Sequence, residues 1–176
     1  MVVDKEIAEE FIAVAHRIVW CTVATTDTKG RPRARVLHPL WEYDETAGLA
    51  GWIVTRPTPV KVAHLARTPF ATCSYWDPAQ DVAIADCDAM WVADGPSRAR
   101  IWAAYRDAPA PLGYDFWSVF PAGPDSDEVG LLRLAPYRLR ITGIETLTGQ
   151  RPPTSWRRSA KAGPKAAARA AGRGVG

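Results

Sequence analysis

Six side chains in two short segments have the types and spacing to hold an anion. In the stretch Val19 to Tyr43, Arg33 and Arg35 are two residues apart, so an extended chain puts both guanidiniums on one face, with Leu37 continuing the row. The second segment is Thr55-Arg56-Pro57-Thr58-Pro59-Val60-Lys61. Thr58 followed by Pro59 is an N-cap and first-turn pair, which predicts a short helix from Pro59 to about Ala66. Such a helix points unsatisfied N–H groups and the positive end of its dipole at whatever lies beyond it. Lys61 falls in the first turn, where a cation is unfavourable unless it has a partner. Thr55 and Thr58 add hydroxyls and Arg56 a further cation. Together the six make a phosphate cradle; solvated surface cations are the other reading of the same residues.

No competing chemistry is visible. There is no Ser-His-Asp set and no metal-ligand spacing. Asp86 and Asp88 interrupt the apolar face of one strand, which a bend or a change of environment explains better than a carboxylate dyad. His16 ends a helix and reads as a surface or capping residue. His38 continues the Arg35 strand on its opposite face, which suggests packing or surface. His64 lies one turn after Lys61, close enough to support a bound phosphate. Cys21, Cys73 and Cys87 are odd in number and widely spaced, so buried free thiols in a reducing compartment are expected.

The elements that must position these groups follow from pattern. Asp4 to Ile18 carries Ile7, Phe11, Val14 and Ile18 at helical spacing. Val19–Thr26 and Arg33–Trp41 are strands joined by the turn cluster Asp27-Thr28-Lys29-Gly30. Leu49–Thr55, Phe70–Trp76, Val82–Ala93 and Glu128–Ile144 supply four more, and a helix is predicted from Pro96 to about Asp107. The aromatics Tyr114, Phe116, Trp117 and Phe120 occupy a Pro-rich loop and could fill a satellite core, wall a ligand site or meet a second subunit. Six strands with short early connections predict an α+β, mainly β chain, an antiparallel six-stranded barrel with short flanking helices.

Composition sets the bounds. Of 176 residues, 47% are hydrophobic and eight are tryptophan. Residues 151–176 carry seven Lys/Arg and no acid, which leaves 15 basic and 19 acidic side chains in residues 1–150. The body is therefore mildly acidic, and nucleic-acid binding is not expected beyond nonspecific contact by the tail. Residues 1–150 read as one domain, enough to bury about 70% of the extended chain's surface. Residues 151–176 read as a disordered Ala/Arg-rich tail. With no apolar run of transmembrane length and no signal-peptide pattern, a soluble cytoplasmic protein is expected.

A strand–turn–strand with Arg35-Val36-Leu37 in its second strand, a strand ending at Thr55, then a short helix with Lys61, Leu65 and Pro69 resembles the pyridoxamine 5′-phosphate oxidase-like split barrels. The resemblance covers about residues 5–145. It implies a six-stranded split β-barrel, a homodimer, and FMN, or in some branches the deazaflavin coenzyme F-420, bound between subunits. By that likeness Arg35 and Lys61 hold the phosphate, Val36 and Leu37 line the ring, and Thr55 meets the ring or ribityl chain, with Arg33 and Arg56 as weaker carry-overs. It also implies hydride transfer with a small-molecule substrate, or flavin or haem binding without catalysis. The chain departs from the family in its C-terminal segment, in Pro59-Val60-Lys61 where Ser-Arg-Lys is usual, and in Asp86-Cys87 where a small residue is usual. These departures argue against the vitamin as substrate.

Overall fold

The computed structural model describes residues 3–159. Its first element is helix α1 (Lys5–Ile18), followed by the hairpin β1 (Cys21–Thr26) and β2 (Pro32–Leu37). The turn between them works as its sequence requires. Asp27 accepts backbone N–H groups from Lys29 and Arg31, both at 2.9 Å, and Gly30 takes a positive φ of 81° that a side chain would resist. Next come β3 (Leu40–Asp44), β4 (Gly48–Thr55), α2 (Pro59–Arg67), β5 (Phe70–Trp76), β6 (Val82–Val92) and α3 (Gly95–Asp107). After an aromatic loop with one 3-10 turn, β7 (Gly130–Thr142), α4 (Ile144–Leu147) and β8 (Thr154–Arg157) complete the described chain.

All strand pairs are antiparallel, in the order β2-β1-β5-β6-β7-β4-β3, with β8 added to β7. Two apolar clusters stabilise the sheet, one on each face. On the inner side α1 lays Ala8, Phe11 and Ala15 against Val23, Trp41, Cys73, Tyr75 and Leu139. Phe11 meets the Trp41 ring edge-on at 4.9 Å, and the Trp41 indole N–H donates to the Tyr75 hydroxyl at 2.7 Å, so the most buried indole keeps a partner. On the outer side α3 and the aromatic loop cover β3, β4 and β7 with Ile101, Trp102, Tyr105, Phe116 and Phe120.

The sheet has eight strands where the sequence suggests six. The stretch read as one strand from Arg33 to Trp41 breaks at His38-Pro39, because proline has no N–H for the ladder and restricts the residue before it. The eighth strand lies in the region read as disordered. Thr154–Arg157 pairs with Arg138–Ile141, Trp156 packs on the inner core, and Arg151 reaches Glu10 at 2.9 Å. The disorder reading is corrected for residues 151–159; its remainder lies outside the described residues. The expected break in β6 is present, as a register shift between Asp86 and Cys87. Asp86 accepts from the Thr72 hydroxyl at 2.7 Å and pairs with Arg138, and Asp88 pairs with Arg158. Both carboxylates are thus bound into the sheet surface.

Candidate functional site

The end of β4, the start of α2 and the joint after β2 meet beneath the aromatic loop. They enclose an open slot of ≈ 350 Å³, lined by Trp20, Leu37, His38, Val54, Thr55, Arg56, Thr58, Lys61, Tyr114, Phe116, Val119 and Phe120. That volume falls in the range of small-molecule sites, and the lining has their usual character, apolar walls with a few converging polar groups. Gly130 lets β7 begin hard against this corner, since a Cβ there would come within 3.1 Å of the Thr55 carbonyl oxygen and 2.7 Å of the Trp91 ring.

Local sequence builds the polar end. Thr58 caps α2, its hydroxyl accepting the Lys61 N–H at 3.5 Å, and Pro59 opens the first turn. The Lys61 side chain turns back across the helix start. Its Nζ donates to Thr55 Oγ1 at 2.6 Å and to the Arg56 carbonyl at 2.9 Å. Arg56 donates to the Val119 carbonyl at 3.1 Å while its guanidinium lies 4.8 Å over the Phe120 ring, so one cation ties β4 to the loop. Arg35 donates to the Thr25 hydroxyl at 3.2 Å.

No Asp or Glu lines the slot, and the electrostatics show it. Burial, then the nearby guanidiniums of Arg35 and Arg56, holds the Lys61 ammonium below the ordinary lysine range. Burial likewise depresses Arg35. An ammonium pressed by two guanidiniums, all three held by neutral oxygens, is stabilised by an added anion. The arrangement fits a phosphate next to a flat apolar body. A larger groove of ≈ 470 Å³ over Glu42, Trp52, Arg100 and Arg133 is a poorer candidate. There Arg100 already forks onto Glu42 with two bonds of 2.8 Å, and both guanidiniums stack on Trp52, at 5.3 and 5.8 Å.

The sequence-derived candidates divide accordingly. Leu37, Thr55, Arg56, Thr58 and Lys61 line the slot, and Arg35 acts on Lys61 from beside it. Arg33 is elsewhere: with Arg31 it pairs with the buried Asp27 carboxylate, at 3.2 and 2.9 Å, and so closes the hairpin turn. Val36 is 64% exposed, opposite Thr22 on the other face of the hairpin. His64 is buried and outside the slot. The residues that sequence reasoning missed are Trp20, Val54, Val119 and His38. Only His38 carried a usable signal, the proline after it, which ends the strand alternation that placed its ring on the wrong side.

No family model matches the sequence, and no curated protein matches it either. Solved structures do match its shape. A Clostridium acetobutylicum protein related to general stress protein 26, of the pyridoxinephosphate oxidase family, superposes with a TM-score of 0.63 over 88% of this chain and 96% of its own, at 13% identity. A pyridoxamine 5′-phosphate oxidase-related, FMN-binding protein of Nostoc punctiforme gives 0.58 over 89% and 96%, at 15% identity. The fold is that of the pyridoxamine 5′-phosphate oxidase-like split barrels. A haem-binding protein of Mycobacterium smegmatis shares it, with a TM-score of 0.60 at 21% identity; this chain covers 60% of that one's length. Identities this low establish the split barrel and leave its use to the residues of the slot.

Proposed function

We propose that this protein binds FMN in the slot between β4, α2 and the aromatic loop, and serves as a flavin-dependent oxidoreductase on a small-molecule substrate. The observation that carries this reading is the cluster of Arg35, Arg56 and Lys61 without a carboxylate, at one end of an aromatic-walled cavity. A bound flavin supplies the hydride chemistry. The chain's part is to bind and orient. Arg35 and Lys61 neutralise the phosphate, the positive end of the α2 dipole with the Val60 N–H favours it, Thr55 and Thr58 present hydroxyls beside it, and Leu37, Val54 and Phe116 exclude water from the ring. The deazaflavin coenzyme F-420 offers the same phosphate and a similar ring, and is the closest alternative.

A second reading has one observation in its favour. His38 places an imidazole among the aromatic walls, which a haem iron could take as a ligand, and a haem-binding protein shares the fold. The absorbance spectrum of the purified full-length protein, as isolated and after addition of each cofactor, separates the three. Flavin bands that shift on binding support FMN; a Soret band that binds stoichiometrically in place of flavin overturns it; quenching of deazaflavin fluorescence without FMN binding favours F-420.

We extend the proposal to a homodimer with the cofactor near the subunit contact. Phe70 and Met90 lie on one outer face of the sheet, exposed at 48% and 57%, and Trp117 of the aromatic loop is exposed at 51%. An obligate interface would bury roughly 2,000 Å² or more. Light scattering should give twice the chain mass at micromolar concentration; a monomer mass with cofactor bound would refute it. Among the described residues no helix is long and apolar enough to cross a membrane.

A further inference from the structure

We infer that His38 is the side chain through which the slot hydrogen-bonds the polar edge of the ring it holds, an inference that rests on the flavin reading above. Four observations converge on it. The joint between β2 and β3, where Pro39 ends the ladder, turns the imidazole into the slot. The ring is held there by other rings: Trp20 at 4.6 Å, Tyr105 and Tyr114 at 5.3 Å, and Phe116 nearly parallel at 6.2 Å. Its backbone is clamped as well. The Tyr105 hydroxyl contacts the His38 and Trp52 carbonyls at 2.7 Å each and accepts the Leu40 N–H at 2.9 Å, so this hydroxyl is committed to the main chain. Finally, His38 Nε2 has neither a protein partner nor solvent, and it is the one such side-chain atom among the residues that line the slot.

Each of these has a cost or a use only if a ligand arrives. A buried imidazole nitrogen without a partner is destabilising, and a fixed ring with uncommitted hydrogen-bonding capacity is what a preorganised site presents. The two cations that line the slot are already bonded, Lys61 to Thr55 and Arg56 to the Val119 carbonyl. Trp20 is the nearest ring to His38, is 52% exposed, and makes no side-chain hydrogen bond among the described residues. It is therefore the cover that a planar ligand can displace to reach the imidazole. Burial holds His38 below the ordinary histidine range, which favours the neutral imidazole; Arg56 and Lys61 are the charged side chains that line the slot with it, and no acid does. A neutral imidazole can donate at one nitrogen and accept at the other, which suits a flavin edge that carries both kinds of group.

The test uses riboflavin as well as FMN, because riboflavin has the ring without the phosphate. His38→Phe keeps an aromatic ring and removes the nitrogens; His38→Gln keeps donor and acceptor and removes the ring. If His38 bonds the ring, His38→Phe weakens FMN and riboflavin alike, by about five- to ten-fold, and His38→Gln recovers part of that loss. If His38 serves only as packing, the order reverses, and His38→Phe binds as well as wild type. A third measurement does not depend on any variant folding. With three histidines in the chain, the nitrogen-15 resonances of the His38 imidazole can be followed in the wild type. They should move on saturation with riboflavin, and unmoved resonances would sink the inference. Wild type that binds FMN and riboflavin while His38→Phe changes neither overturns the His38 assignment alone. Wild type that binds no flavin overturns the cofactor reading, and this inference with it.

Discussion

Arg33 and Arg35 stand two residues apart on one strand and share a face, yet the fold gives them opposite surroundings. At the turn end of the hairpin, Arg31 and Arg33 converge on Asp27, whose carboxylate also accepts two backbone N–H groups. Those bonds, first from the Arg31 and Lys29 backbone and then from the Arg31 guanidinium, hold the Asp27 carboxyl far below the usual carboxylate range. One step along, Arg35 donates to the Thr25 hydroxyl and acts on the Lys61 ammonium, with no acid paired to it among the described residues. Where a carboxylate answers the cation, the charge is spent on structure; where only neutral oxygens do, a site remains for an anion. Spacing on a strand cannot tell these apart. The partner across the hairpin does, Thr25 for Arg33 and Val23 for Arg35 in register, with Asp27 just past the strand end.

The largest expected effect tests the open half of the comparison. Arg35→Ala should weaken FMN about ten- to a hundred-fold, the loss of one charge-assisted hydrogen bond, while riboflavin affinity and melting temperature hold. Lys61→Ala should cost less, since the Val60 N–H and the positive end of the α2 dipole would still favour the phosphate. Fluorescence titration of both ligands against each variant gives the result. An equal loss for riboflavin would mean that these cations support the slot's shape and that the phosphate sits elsewhere.

The next effect concerns cations of the answered kind near the C-terminus. Arg151 pairs with Glu10 and Arg158 with Asp88, and between them β8 lays Trp156 on the inner core. Truncation after Gln150 removes all of this and should lower stability by about 2 kcal/mol or more, chiefly through the lost indole packing. Truncation after Ser159 keeps β8 and should leave the melting temperature unchanged. Urea unfolding of the two truncated proteins decides it. Equal stability would mean that β8 contributes little to the fold.

A third test uses acid. Asp27 has its folded-state pKa depressed, so the stability it adds is present above the ordinary carboxylate range and is lost as pH falls below about 4. Asp27→Asn should melt below wild type at neutral pH, and the gap should narrow as the pH is lowered. A gap independent of pH would place the effect in the shape of the turn and not in its charge.

What the sequence made legible follows from the same distinction. Local rules found the Asp27–Gly30 turn, the Thr58-Pro59 start of α2, and β5 to its end residues, because each depends on near neighbours. Apolar periodicity found α1, since Ile7, Phe11, Val14 and Ile18 lie on one stripe and all pack on the inner core. Misses came where a distant part of the chain decides. Thr154–Arg157 has a single large apolar residue, and only the open edge of β7 makes a strand of it. His38 reads as the wrong face by alternation, because Pro39 breaks the strand before the alternation reaches it. Arg33 looked like a ligand residue because nothing in its spacing announces that Asp27 is buried beneath it. Of the slot, its cationic end and the loop aromatics Tyr114, Phe116 and Phe120 were readable as candidates, whereas Trp20, Val54 and Val119 were not, since they come from three separate segments.

The smallest effect is the sharpest control. Arg33→Ala removes a half-exposed guanidinium from an ion pair that Arg31 can keep on its own. An exposed pair of this kind contributes about 0.2–1 kcal/mol, and two arginines sharing one carboxylate make either more dispensable. The melting temperature should therefore fall slightly or not at all, and the affinities for FMN and riboflavin should match wild type. Set beside Arg35→Ala, this compares the same residue type on the same strand face, two positions away. If Arg33→Ala weakened FMN as much as Arg35→Ala does while leaving riboflavin untouched, the phosphate would have to lie within reach of both. Asp27 would then be sharing Arg33 with the ligand, and the division between answered and open cations would fail on this hairpin. If Arg33→Ala is silent and Arg35→Ala is not, the boundary of the site falls between these two side chains.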